Sequence, residues 1–270
     1  LIFVHVSGQG YQITLKTPNF TSGITYLTYY MGTNFNIADS AAISNKGVAV
    51  FKGTTKLAPG IYAIFFPGNR VRTEFLIDKE QQISVSADTT DLVNKTVITG
   101  SRENILYDQY QKFAASKGRL IQQEKIAYSL SRTREDSALH EKNYNLYNKQ
   151  LNDYREGIIK NQPNSMMAAL LKAMKEPPTP TKIPVTRQDS LNNYYEYKSH
   201  YWDGITFMDD RIIRTPFFLR KLEHYYREVI SPAADSIIKD VDYKLLLARS
   251  APEMYKFLLN WLTDEYINPK

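Results

Sequence analysis

Apolar residues in the first hundred positions recur at every second place, in short runs broken by glycine and proline, as in Tyr11, Ile13 and Leu15 or Ile83 and Val85. Side chains alternate between the two faces of a strand, so this is the period of half-buried β-strands. From Ser101 onward the spacing lengthens to three and four, as in Leu106, Tyr110, Phe113 and Leu120, and glycine becomes scarce. That is the period of an amphipathic helix. The change near Gly100 predicts an α+β two-domain chain: an N-terminal antiparallel β-sandwich over 1–100, then an all-α helical domain over 101–270.

In the first domain the pattern predicts strands at 2–6, 11–16, 24–30, 36–42, 48–52, 61–66, 72–77, 83–87 and 96–99. Turn formers separate them: Thr17-Pro18-Asn19, Asn45-Lys46-Gly47, Pro59-Gly60, Pro67-Gly68-Asn69 and Asp78-Lys79-Glu80. Consecutive strands joined by such short gaps pair antiparallel, because parallel neighbours need a crossover of a dozen or more residues. Pro59-Gly60 suits the centre of a type II turn, where glycine accepts a positive φ. Tyr26, Tyr29 and Tyr30 fall on both faces of one strand and are candidates for a sugar-stacking surface, against the commoner role of edge or interdomain packing.

In the second domain helices are predicted at 103–130, to about 160 after a turn at 131–134, and then at 165–175, 189–202, 215–229, 234–249 and 252–266. The first two, joined by a short turn, should form a long antiparallel hairpin with a seam of Leu139, Leu146, Leu151, Tyr154 and Ile158. Ser101 is placed to cap the first helix, and Ser250 with Pro252 and Glu253 to start the last. Four prolines within 176–184 exclude a helix there and predict an extended connection.

Composition narrows the chemistry. The 270 residues contain no cysteine, which removes disulfides, thiolate metal sites and thiol nucleophiles together. The formal charge of +6 is spread thinly over both halves, without the dense basic run of a nucleic-acid footprint. No apolar stretch approaches the length of a membrane-spanning helix. The start at Leu1 and the end at Lys270 both read as cut ends. Neither a phosphate loop, a dinucleotide fingerprint nor a Gly-x-Ser-x-Gly elbow occurs, and no cofactor is implied.

The densest polar and aromatic stretch is 194–203, followed by Asp209, Asp210, Arg211 and Arg214. His200 with Asp203 would suit a base and its orienting carboxylate, and Asp209 with Asp210 a hard cation. Structural pairing and capping are the weightier alternative, since no nucleophile or third ligand stands at a recognisable spacing. The candidate binding residues are Tyr197, His200, Tyr201, Trp202, Asp203, Asp210, Arg211 and Arg214. No catalytic or metal-ligating residue is assigned.

Several motifs carry a resemblance. They are Gly10-Tyr11-x-Ile13-x-Leu15, Leu57-x-Pro59-Gly60-x-Tyr62 and Gly100-Ser101-x-Glu103-Asn104 in the first domain, and Tyr197-Lys198-x-His200-Tyr201-Trp202-Asp203, Asp210-Arg211-x-x-Arg214-Thr215-Pro216 and Pro232-x-x-Asp235-Ser236 in the second. On these the chain resembles the front part of thioredoxin-like thiol-disulfide oxidoreductases of the Gram-negative envelope, in which two domains of unknown function precede the redox domain. The resemblance implies a periplasmic protein or an outer-membrane lipoprotein, exported and anchored outside this sequence. Its implied partners are a downstream thioredoxin-like domain and envelope protein substrates. The chain departs from that family's full pattern in lacking the Cys-x-x-Cys pair, so the implied role is to position the redox domain or recognise substrates. The alternative is a glycan- or peptide-binding module.

Overall fold

A computed structural model of the chain describes residues 10–180 and 183–267; the strand expected at 2–6 lies outside them. The strands are β1 (Tyr11–Lys16), β2 (Ile24–Met31), β3 (Asn34–Ala42), β4 (Val48–Gly53), β5 (Gly60–Phe65), β6 (Arg72–Ile77), β7 (Gln82–Ser86) and β8 (Val97–Thr99). They form two four-stranded sheets, ordered β4-β1-β7-β8 and β3-β2-β5-β6. The helices are α1 (Leu92–Lys95), α2 (Arg102–Leu130), α3 (Arg134–Asn161), α4 (Met166–Ala173), α5 (Arg187–His200), α6 (Phe218–His224), α7 (Ala234–Ala248) and α8 (Pro252–Tyr266). The chain is thus α+β in two parts, sheets first and helices after.

One pairing departs from the antiparallel expectation. β1 runs antiparallel to β4, and β7 to β8, but β1 and β7 are parallel, with Ile13 opposite Ile83. Short turns exclude parallel pairing only between consecutive strands. Here β2 to β6 intervene in sequence and supply the crossover. The alternation read from the sequence is the burial pattern: Ile13, Leu15, Phe51 and Val85 are fully buried, and the residues on either side of each are not.

Two glycines serve different purposes. Gly47 has a φ of 71°, and a Cβ there would stand 2.1 Å from the Thr17 carbonyl oxygen, so the predicted Asn45-Lys46-Gly47 turn admits glycine alone. Gly60 is not in the left-handed region, so the type II turn expected at Pro59-Gly60 does not form. It is the first residue of β5, and a Cβ there would lie 2.4 Å from the Cβ of Arg214. Close backbone approach, not a positive φ, is what requires it.

The described residues divide into two compact units: one of residues 10–27, 38–57 and 63–168, the other of 28–37, 58–62, 169–180 and 183–267. In the first, β6 ends its sheet and α2 satisfies its edge. Asn104, fully buried, accepts from the Leu76 N–H and donates to the Leu76 carbonyl, both at 2.7 Å. An amide side chain here replaces a neighbouring strand. Its helix begins where expected, with the Ser101 hydroxyl accepting from the Asn104 N–H. Next to it, Glu103 accepts from the Met166 and Met167 N–H groups and so caps the start of α4.

The α2–α3 hairpin forms as expected, but its seam differs. Half-buried or buried positions recur with a 3.5-residue period: Tyr110, Phe113, Lys117, Leu120 and Glu124 on α2, and His140, Tyr144, Tyr147, Leu151, Tyr154 and Ile158 on α3. Leu139 and Leu146, placed in the seam by sequence, are 54% and 46% exposed. Counting back from Leu151 at this period reaches Tyr147, Tyr144 and His140, one position away from each leucine. Those rings gain polar partners across the seam that leucine cannot use. The Lys117 ammonium lies 5.6 Å from the Tyr147 ring centroid and donates to Gln150, Lys125 lies 5.6 Å from that of Tyr144, and His140 bonds Glu124 at 2.6 Å. Phe113 and Tyr154 stack at 4.2 Å.

In the second unit the expected 215–229 helix is α6 continued by a π-helical turn over Tyr225–Val229, and the added residue lets two consecutive tyrosines, Tyr225 and Tyr226, both bury. The last helix has Pro252 in its first turn, but Ala251, not Ser250, is its N-cap and brings no side-chain bond. Asp210 supplies the cap from a distance, accepting from the Met254 N–H at 2.7 Å. At described positions the proline-rich connection has no regular structure, and Ile183 and Val185 are almost wholly exposed.

Replacing Asn104 by leucine leaves a buried N–H and carbonyl unpaired and should cost about 2–4 kcal/mol of unfolding free energy in urea titration. A loss below about 0.5 kcal/mol would contradict the edge-capping role. In the seam, the double variant Glu124→Leu/His140→Leu exchanges a half-buried polar pair for apolar packing and should slow amide exchange along the hairpin. Faster exchange would show that the pair stabilises it.

Candidate functional site

The predicted 194–203 stretch spans the end of α5 and the loop after it; Tyr201 enters the core of the second unit and Tyr197 and Trp202 pack against it, whereas Tyr195 is exposed. At the centre of that core is a cation. Lys244 on α7 is only 3% exposed, yet its ammonium lies 4.3 Å from the ring centroid of Tyr225, 5.3 Å from Trp202, 5.5 Å from Tyr226 and 5.7 Å from Phe207. One turn earlier, Asp240 pairs with the Lys244 Nζ and also accepts from the Tyr225 hydroxyl at 2.8 Å. Burial pushes the Lys244 pKa down to about 8, against the pull of Asp240. The tyrosine hydroxyls of 225 and 226 are held above their ordinary range, first by burial and then by the same carboxylate. Desolvated cation–π contacts are worth about 2 kcal/mol or more, which offsets part of the ammonium's lost hydration.

Tyr201 links this cage to the surface. Its ring lies 5.0 Å from both Trp202 and Tyr225, and its hydroxyl donates to the Lys221 carbonyl at 2.8 Å. His224 Nδ1 stands 3.0 Å from the same oxygen. With the phenol proton spent on the carbonyl, that contact is a hydrogen bond when Nδ1 carries the hydrogen.

On its other side Tyr201 borders a cleft of about 610 Å³. Tyr197, Tyr201 and Phe217 provide aromatic walls, and Arg220, Lys221 and His224 come from or adjoin one face of α6. Among the described residues Glu176 is the one acid that lines it. Lys221 donates to the Lys175 carbonyl at 2.8 Å and sits 5.5 Å from the Tyr201 ring centroid. Its pKa is lowered by burial, with Glu176 and Asp203 pulling it back. Burial first, and Glu176 among the further causes, raise those of Tyr197 and Tyr201, so both walls are neutral phenols at ordinary pH.

Of the eight predicted residues, Tyr197 and Tyr201 line this cleft and Trp202 belongs to the cage. The others are engaged elsewhere. His200 Nδ1 meets Asp203 at 2.7 Å in a solvent-exposed pair, the geometry of a base with its orienting carboxylate but, among the described residues, with no nucleophile bonded to it. Arg211 holds Asp209 through Nε and Nη2, and Asp210 caps α8. Arg214 pairs with Glu253 at 2.7 Å, lies 5.7 Å from the Tyr29 ring centroid, and accepts at its carbonyl from the Ile61 N–H. None of His200, Asp203, Asp209 and Asp210 lines the cleft. Among the described residues no cluster of three His, Asp or Glu side chains is disposed to hold a metal ion.

Tyr29 and Tyr30 do not form an open stacking platform. Tyr30 is 7% exposed and packs on Phe35 at 4.3 Å, while Tyr29 leans on Tyr62 with the planes 47° apart. Sequence reading missed Glu176, Phe217, Arg220, Lys221, His224 and Lys244. The only local signal was two adjacent basic residues with a histidine three further on, at 220, 221 and 224, on one helix turn.

Residues 11–107 match the family model described as a domain of unknown function (DUF4369). No curated protein and no solved structure matches the chain.

The lowered Lys244 pKa sets a testable sign. Between about 8 and the ordinary lysine value near 10.5, the unfolded chain holds a proton that folded Lys244 has released, so this group's destabilisation is full below pH 8 and is relieved as pH rises. Asp240, Tyr225, Tyr226 and Lys198 act on the same ammonium, so the comparison is with Lys244→Met at each pH. From pH 7 to 9.5 the unmodified chain should gain about 1–2 kcal/mol relative to that variant in urea titration. A difference that does not change with pH would contradict the shift.

Proposed function

We propose that the chain is the non-catalytic front region of a thioredoxin-like thiol-disulfide oxidoreductase of the cell envelope, where it recognises polypeptide substrates or positions the redox domain. The supporting observation is how the polar groups of the helical unit are distributed. The acids and arginines of the predicted site are taken up by caps and ion pairs, whereas Tyr197, Tyr201, Phe217, Arg220, Lys221 and His224 line a concave surface. Such a surface can select a ligand. Thiol exchange needs one thiolate to attack and a second to resolve, and the sequence holds no cysteine. A domain of unknown function at 11–107 is in keeping with the first of the two front domains of this architecture.

In an insulin-reduction assay the chain should give no turnover above buffer. Its reading frame should continue into a thioredoxin-like domain with a Cys-x-x-Cys pair. Turnover by this cysteine-free chain, or a reading frame that encodes no redox domain, would overturn the proposal.

A further inference from the structure

We propose that the cleft beside Tyr201 binds a carboxylate carried on an aromatic or apolar body, as offered by the last residue of a polypeptide or by a free aromatic acid. This deepens the reading of the chain as a recognition module, on which it rests, by naming the chemistry it selects.

Among the described residues three basic side chains, Arg220, Lys221 and His224, line the cleft with one acid, Glu176. Arg220 is exposed, and among the described residues its guanidinium makes no ion pair, so its paired N–H donors are available to a carboxylate. Lys221 gives one hydrogen to the Lys175 carbonyl and keeps two. Its partial burial makes an incoming negative charge more welcome there than in water. A cationic ligand would meet the same groups as repulsion.

The walls decide what the carboxylate is attached to. Tyr197 and Tyr201 stand edge to face, 5.8 Å apart with planes 74° to each other, and Phe217 adds a third ring. A ring or branched aliphatic group can pack against these faces at the spacing aromatic pairs prefer. At about 610 Å³ the cleft has room for a ligand larger than a bare anion. Inorganic phosphate or a nucleotide fits less well. No glycine-rich loop presents backbone N–H groups, and Glu176 repels a doubly charged group more strongly than a carboxylate.

The test uses calorimetry on the whole chain with N-acetylphenylalanine, its neutral amide, and a peptide ending in phenylalanine with either a free or an amidated C-terminus. The free carboxylates should bind at least about tenfold more tightly than the corresponding amides. Arg220→Gln should remove most of that preference, while Glu176→Gln should strengthen carboxylate binding several-fold; both residues are exposed, and circular dichroism checks that each variant folds. A loss of packing cannot produce these opposite signs. Tighter binding of the peptide would identify a polypeptide terminus as the source, and tighter binding of the small acid a free metabolite; either result supports the carboxylate assignment. Equal binding of acid and amide, no binding of either, or two variants that shift affinity the same way would overturn it. Failure here with a redox domain downstream removes the cleft assignment alone. Carboxylate-selective binding without such a domain removes the oxidoreductase context alone.

Discussion

A lysine ammonium shut among four aromatic rings is the interaction on which the second unit depends. An isolated buried charge is too costly to keep, so Lys244 is retained only because Asp240 neutralises it and the faces of Trp202, Phe207, Tyr225 and Tyr226 surround it. These partners come from the loop after α5, the π-helical turn and α7, so one cation ties together segments far apart in sequence. Removing the carboxylate would leave the buried charge unpaired. Tyr201 packs on two of the same rings and forms a wall of the cleft, which makes the cage the support of the candidate site.

The first unit places its polar groups differently. There, side chains stand in for missing backbone partners: Asn104 serves the edge of β6, and Gln81 bonds the N–H and carbonyl of Leu57 in the same way. In the hairpin, histidine, lysine and tyrosine occupy positions that an ordinary coiled coil gives to leucine. Such a seam makes a helix pair with less apolar burial than its length suggests, and it leaves Leu130, Leu139 and Leu146 facing solvent.

Sequence reading succeeded where the signal was local. Ser101 and Pro252 marked the starts of helices, Asn45-Lys46-Gly47 marked a turn, and alternation gave β1 and β6 to the residue. It failed where the deciding partner was remote. Gly60 looks like a turn residue until Arg214 is brought against it, and nothing near Ser250 reveals that Asp210 caps the last helix. Leu139 and Leu146 fit a helical face, and only the partner helix shows that the seam lies one position away. Lys244 is the sharpest case. A lysine on an amphipathic helix reads as solvated, and the rings that bury it lie 18 to 42 positions earlier, as Tyr226 and Trp202 delimit. Of the site itself, the aromatic half was legible in the 194–203 cluster, whereas the cationic half on α6 looked like an ordinary exposed face.

A recognition module needs rigid walls more than reactive groups, and a buried cation with a fixed set of partners is one way to supply rigidity. The most direct measurement is side-chain NMR of the lysine ammonium groups with pH. One resonance, lost in Lys244→Met, should be displaced by ring currents and titrate near pH 8, well below the ordinary lysine value. A Lys244 signal at an ordinary chemical shift, titrating at the ordinary lysine value of 10.5, would contradict the caged cation and the account of the cleft built on it.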